Sequence, residues 1–450
     1  MMTKMINRRN LIVVFTIHFS LFTGITLAQT TKKEIFKDIY RTGSNYFAYP
    51  GPKAQKLTKT PEGYTPFYIS HYGRHGSRYM SSNEYYVTAI NKLDSAAQFG
   101  ILSDKGQEVL EKLHIGYADA WHRDGDLSKL GARQHREIAH RMYERFPELF
   151  SQPLKIDAKS STVRRCMLSM FNFCQELQAL NPSLNIAMDA SKHDWKWVVE
   201  DLSIQPAVTP VSEVYEQQRS AIFEGAHNPT RLMKSLFTDV QKAETFVNGR
   251  DLMEALYNVA EDLQNVPELN IELINVFTKE ELFNIWTGYN AGWLLNTGLV
   301  PGCTPYYEQQ REVLDSIVSK ANQVIIKGEP TATLRFSHDS SVLPLAYLLG
   351  LKEARSGKAD IPNLYKYISI DKIIPMAANI QIIFYSPLPT SPTGKSACGQ
   401  INPDEVLVKF LLNENETTIP AVKTDCAPYY HWKDVVEFYK REVKGKLNFL

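Results

Sequence analysis

Past residue 28 the sequence has no apolar stretch long enough to span a bilayer, no internal repeat and no low-complexity tract. Cysteine is scarce: Cys166, Cys174, Cys303, Cys398 and Cys426 are the five in 450 residues. None lies in a CxxC pair, so thiolate metal sites of the zinc-ribbon type find no support, and the odd count leaves at least one thiol unpaired within the chain. Cys166 and Cys174 on one helix would stand about 12 Å apart at ~1.5 Å per residue, too far to bridge. Cys398 and Cys426 flank a strand-like segment and form the expected disulfide in an oxidising compartment. Net charge is also nearly absent, with 50 Lys and Arg against 49 Asp and Glu. No broad basic field is therefore available to recruit nucleic acid or an anionic membrane, although a local cationic pocket remains open.

What is present begins with an export-type leader. Lys4, Arg8 and Arg9 precede the apolar run LIVVFTIHFSLFTGITLA, which ends in small residues at Ala28. Residues 1–28 are expected to be a signal peptide, giving a periplasmic or extracellular protein with no membrane partner after cleavage. A membrane anchor is the competing reading, weakened by His18 and the Ser and Thr interruptions. TPFYISHY (65–72) alternates and is rich in aromatic and β-branched residues, which predicts a strand. Helical periodicity follows at 102–122 and 129–146, a short strand at 154–161, and a helix in which Cys166, Met170, Phe173, Leu177 and Leu180 share one face. Ser161 or Thr162 is its expected cap, and Pro182 its stop. Mostly helical patterns fill 183–325, and strand patterns return in ATLRFSHD, NIQIIFY and EVLVKFLLNE before a last helix, KDVVEFYKREV. The expectation is an α/β fold: a sheet domain with helices on both faces (29–182 and 326–450), interrupted by an α-helical insertion domain (183–325).

The chemistry collects at strand ends. The first strand runs into Gly73-Arg74-His75-Gly76, with Arg78 close behind; ATLRFS runs into His338-Asp339, 263 positions after His75; Arg165 follows a third strand in the first turn of a helix. Ligands of open α/β sheets bind outside the carboxyl ends of strands. Guanidinium forks match phosphate oxygens, and several of them around an imidazole keep that ring neutral. Each signal alone has an ordinary structural explanation: a surface arginine, a turn histidine, a capping His-Asp pair. His71 and His75 have HxxxH spacing, but that metal arrangement needs a helix to bring both rings to one face, and Gly73 with the flanking strand pattern argues against one, so a metal site is not expected. The Trp and Tyr residues of 285–307 are expected to be core.

RHGSR (74–78) resembles the RHGxRxP signature of the histidine acid phosphatases, the branch containing phytases and multiple inositol polyphosphate phosphatases. FSHDSSVLPL is similar to their second signature, SSTVRRCMLS to their intermediate arginine segment, and LSKLGARQHREIAHRMYERFPEL to the stretch between. The resemblance implies that His75 is a nucleophile, that Arg74, Arg78, Arg165 and His338 hold the phosphoryl oxygens, and that Asp339 is the proton donor. It implies a phosphomonoester substrate, with phytate or another inositol phosphate leading and sugar phosphates close behind. It calls for no cofactor and no metal, because arginines supply the positive charge. Arg164 stands beside Arg165 as an alternative ligand. Two departures stand out: Met80 replaces the signature proline, and His338-Asp339-Ser340 replaces the His-Ala-Glu of the inositol polyphosphate phosphatase subgroup. A non-catalytic phosphoester-binding protein is the reading from another class; it would need the arginines but neither His75 nor Asp339. Nothing in the sequence fixes the oligomeric state.

Overall fold

A computed structural model describes residues 30–443 apart from 54–55, 152, 330, 356 and 389–400. The expected signal peptide and Cys398 lie outside the described residues. Among these residues Cys166, Cys174, Cys303 and Cys426 are free thiols.

Eight strands form one mixed sheet among the described residues: β1 (Tyr64–Arg74), β2 (Lys155–Ser160), β3 (Asn185–Asp189), β4 (Thr331–Ser337), β5 (Asn379–Pro387), β6 (Leu407–Leu412), β7 (Asn415–Thr417) and β8 (Tyr430–His431). The order is β3-β2-β4-β1-β5-β6-β7, with β8 also on β6. The run β3-β2-β4-β1 is parallel, and β5, β6 and β7 continue it antiparallel. The strand expected at 65–72 is thus central, and residues 66–74 are buried throughout, as both faces of a parallel sheet must be covered. Alternation assigns the faces. Tyr68 and Tyr72 join one core with Ile380, Ile382 and Phe410, and Ile69 joins the opposite core with Ile138, Phe173 and Phe336. Helices therefore lie on both faces, as expected.

The helices start where the sequence provides caps. Ser103 accepts from the Gly106 amide (3.0 Å) before the helix Asp104–Ala120, and Ser128 from the Gly131 amide (3.2 Å) before Lys129–Arg145. Such caps typically contribute about 1 kcal/mol each. The helix Arg164–Leu180 differs from expectation: its N-cap is Val163, with no side-chain cap. Ser161 instead accepts from the Val163 amide and turns its hydroxyl to His338.

The cores divide the chain differently from one insertion at 183–325. β3 extends the sheet beyond residue 182. The helix Arg311–Lys327 buries Val313, Leu314, Ile317 and Val318 in the same core as β1, because a parallel strand such as β4 needs a crossover helix lying on its own sheet. A separate helical core is built from two chain segments: Glu84–Gln98 and Asp104–Ala120 pack with Gly249–Asp262 through Leu93, Leu113, Leu252 and Leu256. Periodicity locates a helix but does not say which surface its stripe covers.

Candidate active site

The register of β1 and β4 sets the site. The two strands pair in parallel with Arg74 opposite Ser337, so His75 and His338 leave the sheet side by side. The His75 amide donates to the Ser337 carbonyl (2.9 Å), and the two imidazole rings meet edge to face with centroids 5.6 Å apart. β2 pairs on the other side of β4 and delivers Ser160 to the same edge, from which the helix bearing Arg165 begins.

The turn after β1 is tightly held. The Gly76 amide donates to Ser169 Oγ (3.1 Å) and the Ser77 amide to Gln134 Oε1 (2.8 Å). A Cβ on Gly76 would fall 2.5 Å from the Gly131 carbonyl oxygen, so only glycine fits between the turn and the Lys129–Arg145 helix. His75 Nδ1 lies 2.9 Å from the Gly76 carbonyl. A carbonyl only accepts, so Nδ1 carries the proton and Nε2 keeps its lone pair facing the site. Burial first, then Arg74, Arg78, Arg165 and His338, hold the His75 pKa well below its ordinary value. The ring is therefore held neutral.

Each expected arginine is at this edge. Arg74 is fully buried; its Nη1 donates to the Asn45 and Ile374 carbonyls, and its Nη2 pairs with Asp339 Oδ2 at 2.7 Å. Arg78 stacks over Tyr46, 4.8 Å from the ring centre, and donates to the Tyr79 carbonyl. The structure separates the adjacent arginines. Arg164 is 70% exposed and pairs with Asp126 at 2.9 Å, away from His75. Arg165 points inward, its Nη1 3.1 Å from where a Cβ on Gly125 would sit, and it acts electrostatically on both His75 and His338. Burial, then Arg165, push the His338 pKa down to about 4. For Asp339, burial works to raise the pKa, but Arg74, the hydrogen bond from Asn45 Nδ2 (2.8 Å), Arg78 and His338 outweigh it and bring the carboxyl to about 2.

Several contributors escaped sequence reasoning. Asn45 and Tyr46 come from a 3-10 helix before β1 (Ile39–Tyr46), kinked at Ser44, and touch Asp339 and Arg78. Asp262, at the end of a helix from the second core, is buried; burial raises its pKa to about 7 against the pull of Arg78. The backbone amide of Met80 also faces this carboxyl; proline, which Met80 replaces, has no N–H to offer. Glu200 accepts from Ser340 Oγ (2.9 Å) and from Ser341 Oγ. The aromatic stretch 285–307 is only partly core: Trp286 is fully buried, whereas Tyr289, Trp293 and Tyr306 line a cavity of about 530 Å³ beside Ser340. His71 lies among Phe173 and Phe336 with burial, then His135, taking its pKa to about 3, so it and His75 form no pair.

No family model matches the chain. Human multiple inositol polyphosphate phosphatase 1 is 24% identical over 419 residues, 83% of this chain and 80% of that protein. Among solved structures, the multiple inositol polyphosphate phosphatase of Bifidobacterium longum in complex with inositol hexasulfate is similar, with TM-score 0.67 and 20% identity over 87% of this chain and 96% of that one. The phytase from D. castellii gives TM-score 0.61 and 17% identity over 91% and 86%. The fold is that of the histidine acid phosphatases. No helix among the described residues is long and apolar enough to cross a membrane.

Proposed function

We propose that this chain is a histidine acid phosphatase, an exported phosphomonoesterase that acts on inositol phosphates through a phosphohistidine on His75, with Asp339 as proton donor. The observation that carries the reading is the parallel β1–β4 register, which sets a neutral His75 against His338-Asp339 inside a ring of Arg74, Arg78 and Arg165. The named activities of the relatives support the substrate class. Arg74, Arg78, Arg165 and His338 hold the three non-bridging oxygens and neutralise their charge, which is most of what phosphoryl transfer asks of a protein. His75 Nε2 bonds to phosphorus as the ester P–O bond breaks, and Asp339 gives its proton to the leaving oxygen. Water then attacks the phosphohistidine, Asp339 takes a proton from it, and inorganic phosphate leaves with His75 restored. The free carboxyl at about 2 is ionised. A phosphate dianion beside Arg74 and Arg78 offsets their field and raises the carboxyl toward the protonated form, so activity is highest in acid.

Trapping tests the reading. Denaturation without acid during turnover of labelled substrate leaves label on His75, and His75→Ala leaves none while phosphate still binds to the remaining arginines. Label on another residue, or wild-type turnover in His75→Ala, overturns it. A protein that binds phosphoesters and never becomes labelled belongs to the non-catalytic class. Export is checked by sequencing the mature N-terminus, expected close to Gln29.

A further inference from the structure

The cavity beside the phosphate-binding edge carries charge of the wrong sign for a polyphosphate. It opens next to Ser340, directly after the proton donor, and is about 530 Å³, ample for a six-membered ring. Its charged lining groups are Glu200, Glu254 and Arg219. Arg219 is already engaged by Glu216, which accepts from Nε and Nη2. Among the described residues neither Glu200 nor Glu254 has a cationic partner within ion-pair distance. Glu200 is instead held by the hydroxyls of Ser340 and Ser341, with Ser340 facing the cavity. Much of the remaining wall is aromatic, from Tyr85, Phe223, Tyr289, Trp293 and Tyr306, with the neutral polar groups of Asn296, Thr297 and Gln309 beside it.

We infer that this cavity selects phosphomonoesters whose leaving group is an uncharged polyol ring, and that Glu200 and Glu254 reject rings bearing further phosphates. This rests on the proposed reading of the catalytic edge and narrows its substrate class. Aromatic faces pack against the C–H faces of a polyol, and carboxylates accept from its hydroxyls. The same carboxylates repel each additional phosphate, which is specificity obtained by disfavouring the competitor. Glu200 and Glu254 touch the leaving group and not the transferred phosphoryl, so they act on the ratio between substrates.

The experiment compares kcat/KM on inositol monophosphate and inositol hexakisphosphate for the wild type, Glu200→Gln, Glu254→Gln and the double variant. The wild type is expected to favour the monophosphate, and the double variant to shift the ratio toward the hexakisphosphate by about tenfold, with each single variant between. Glu254→Gln keeps the test sound should Glu200→Gln disturb the serines that it holds. A wild-type preference for the hexakisphosphate, or a ratio unmoved in Glu254→Gln and the double variant, overturns the inference while leaving the catalytic reading intact. Failure to hydrolyse either ester, with no label trapped on His75, overturns both.

Discussion

Replacing Asp339 with Asn removes a proton and a charge while keeping the shape of the side chain, and the two losses act on different steps. At a pKa of about 2, the free carboxyl is protonated in roughly one molecule in a thousand at pH 5. A general acid that scarce is useful only when bound phosphate raises its pKa, so under the proposed mechanism the proton from Asp339 belongs to the enzyme–substrate complex. General acid catalysis typically contributes about 10²–10⁴-fold. Asp339→Asn is expected to lose that much in the phosphorylation burst on an alkyl ester, whose alkoxide leaves poorly unprotonated. On an aryl phosphate, with a stable phenolate, the burst is expected to slow by less than about tenfold. The charge tells separately. Asp339 Oδ2 occupies Arg74 at 2.7 Å, and neutralising it frees that guanidinium, so inorganic phosphate is expected to inhibit the variant more tightly, by roughly tenfold. Rapid-quench bursts on both ester types and a phosphate inhibition constant measure all three. Equal slowing of the two bursts would show that the proton comes from another group, and unchanged phosphate affinity would show that the ion pair with Arg74 does not compete with ligand.

Arg165→Ala is expected to lower kcat/KM by 10²-fold or more and Arg164→Ala by less than about threefold, because one side chain faces His75 and the other faces solvent beside Asp126; steady-state assays of equal amounts of folded protein decide it. Gly76→Ala forces a methyl into the Gly131 carbonyl at 2.5 Å, so it is expected to destabilise by about 1–3 kcal/mol and to remove most activity, read by denaturant unfolding and assay together. Buried His71, at about 3, takes up no proton until well below the 6.5 of an unfolded histidine. Below pH 6.5 the unfolded chain therefore binds more protons at this position, and stability falls with pH by up to about 1.4 kcal/mol per unit. His71→Phe is expected to remove that share of the slope between pH 6 and 4 in urea unfolding, and an unchanged slope would refute the buried neutral state.

The catalytic edge was legible because apolar runs announce strands, and chemistry follows immediately at their ends: His75 after β1, His338 and Asp339 after β4. Arg164 and Arg165 remained open because neighbouring helical residues differ by about 100° in direction, and only packing decides which faces inward. Asn45, Tyr46 and Glu200 left no trace in the pattern. Asn45 and Tyr46 arrive from a short kinked 3-10 helix and Glu200 from a loop, neither long enough to show a period, and they are placed by contacts to residues far along the chain. The helix Glu84–Gln98 went unseen because its buried Tyr86, Ala89, Ile90 and Leu93 are interspersed with polar groups and small residues. The aromatic cluster was misassigned in part because a tyrosine wall and a tyrosine core have the same composition; Trp286 and Tyr289, on one helix, fall on different sides of that distinction.

The pairing of Arg74 with Ser337 joins two strands that lie some 260 residues apart in the chain. Local contacts form early and distant ones late, because closing so long a loop costs entropy before any pairing repays it. A partly synthesised or partly folded chain thus has the imidazole of His75 without the proposed acid Asp339, and Arg74 without the carboxylate that balances it. Such a species is chemically silent, so phosphatase activity doubles as a readout of completed long-range folding. A loss of activity that precedes any loss of helical signal on gentle denaturation would mark the parting of β1 from β4.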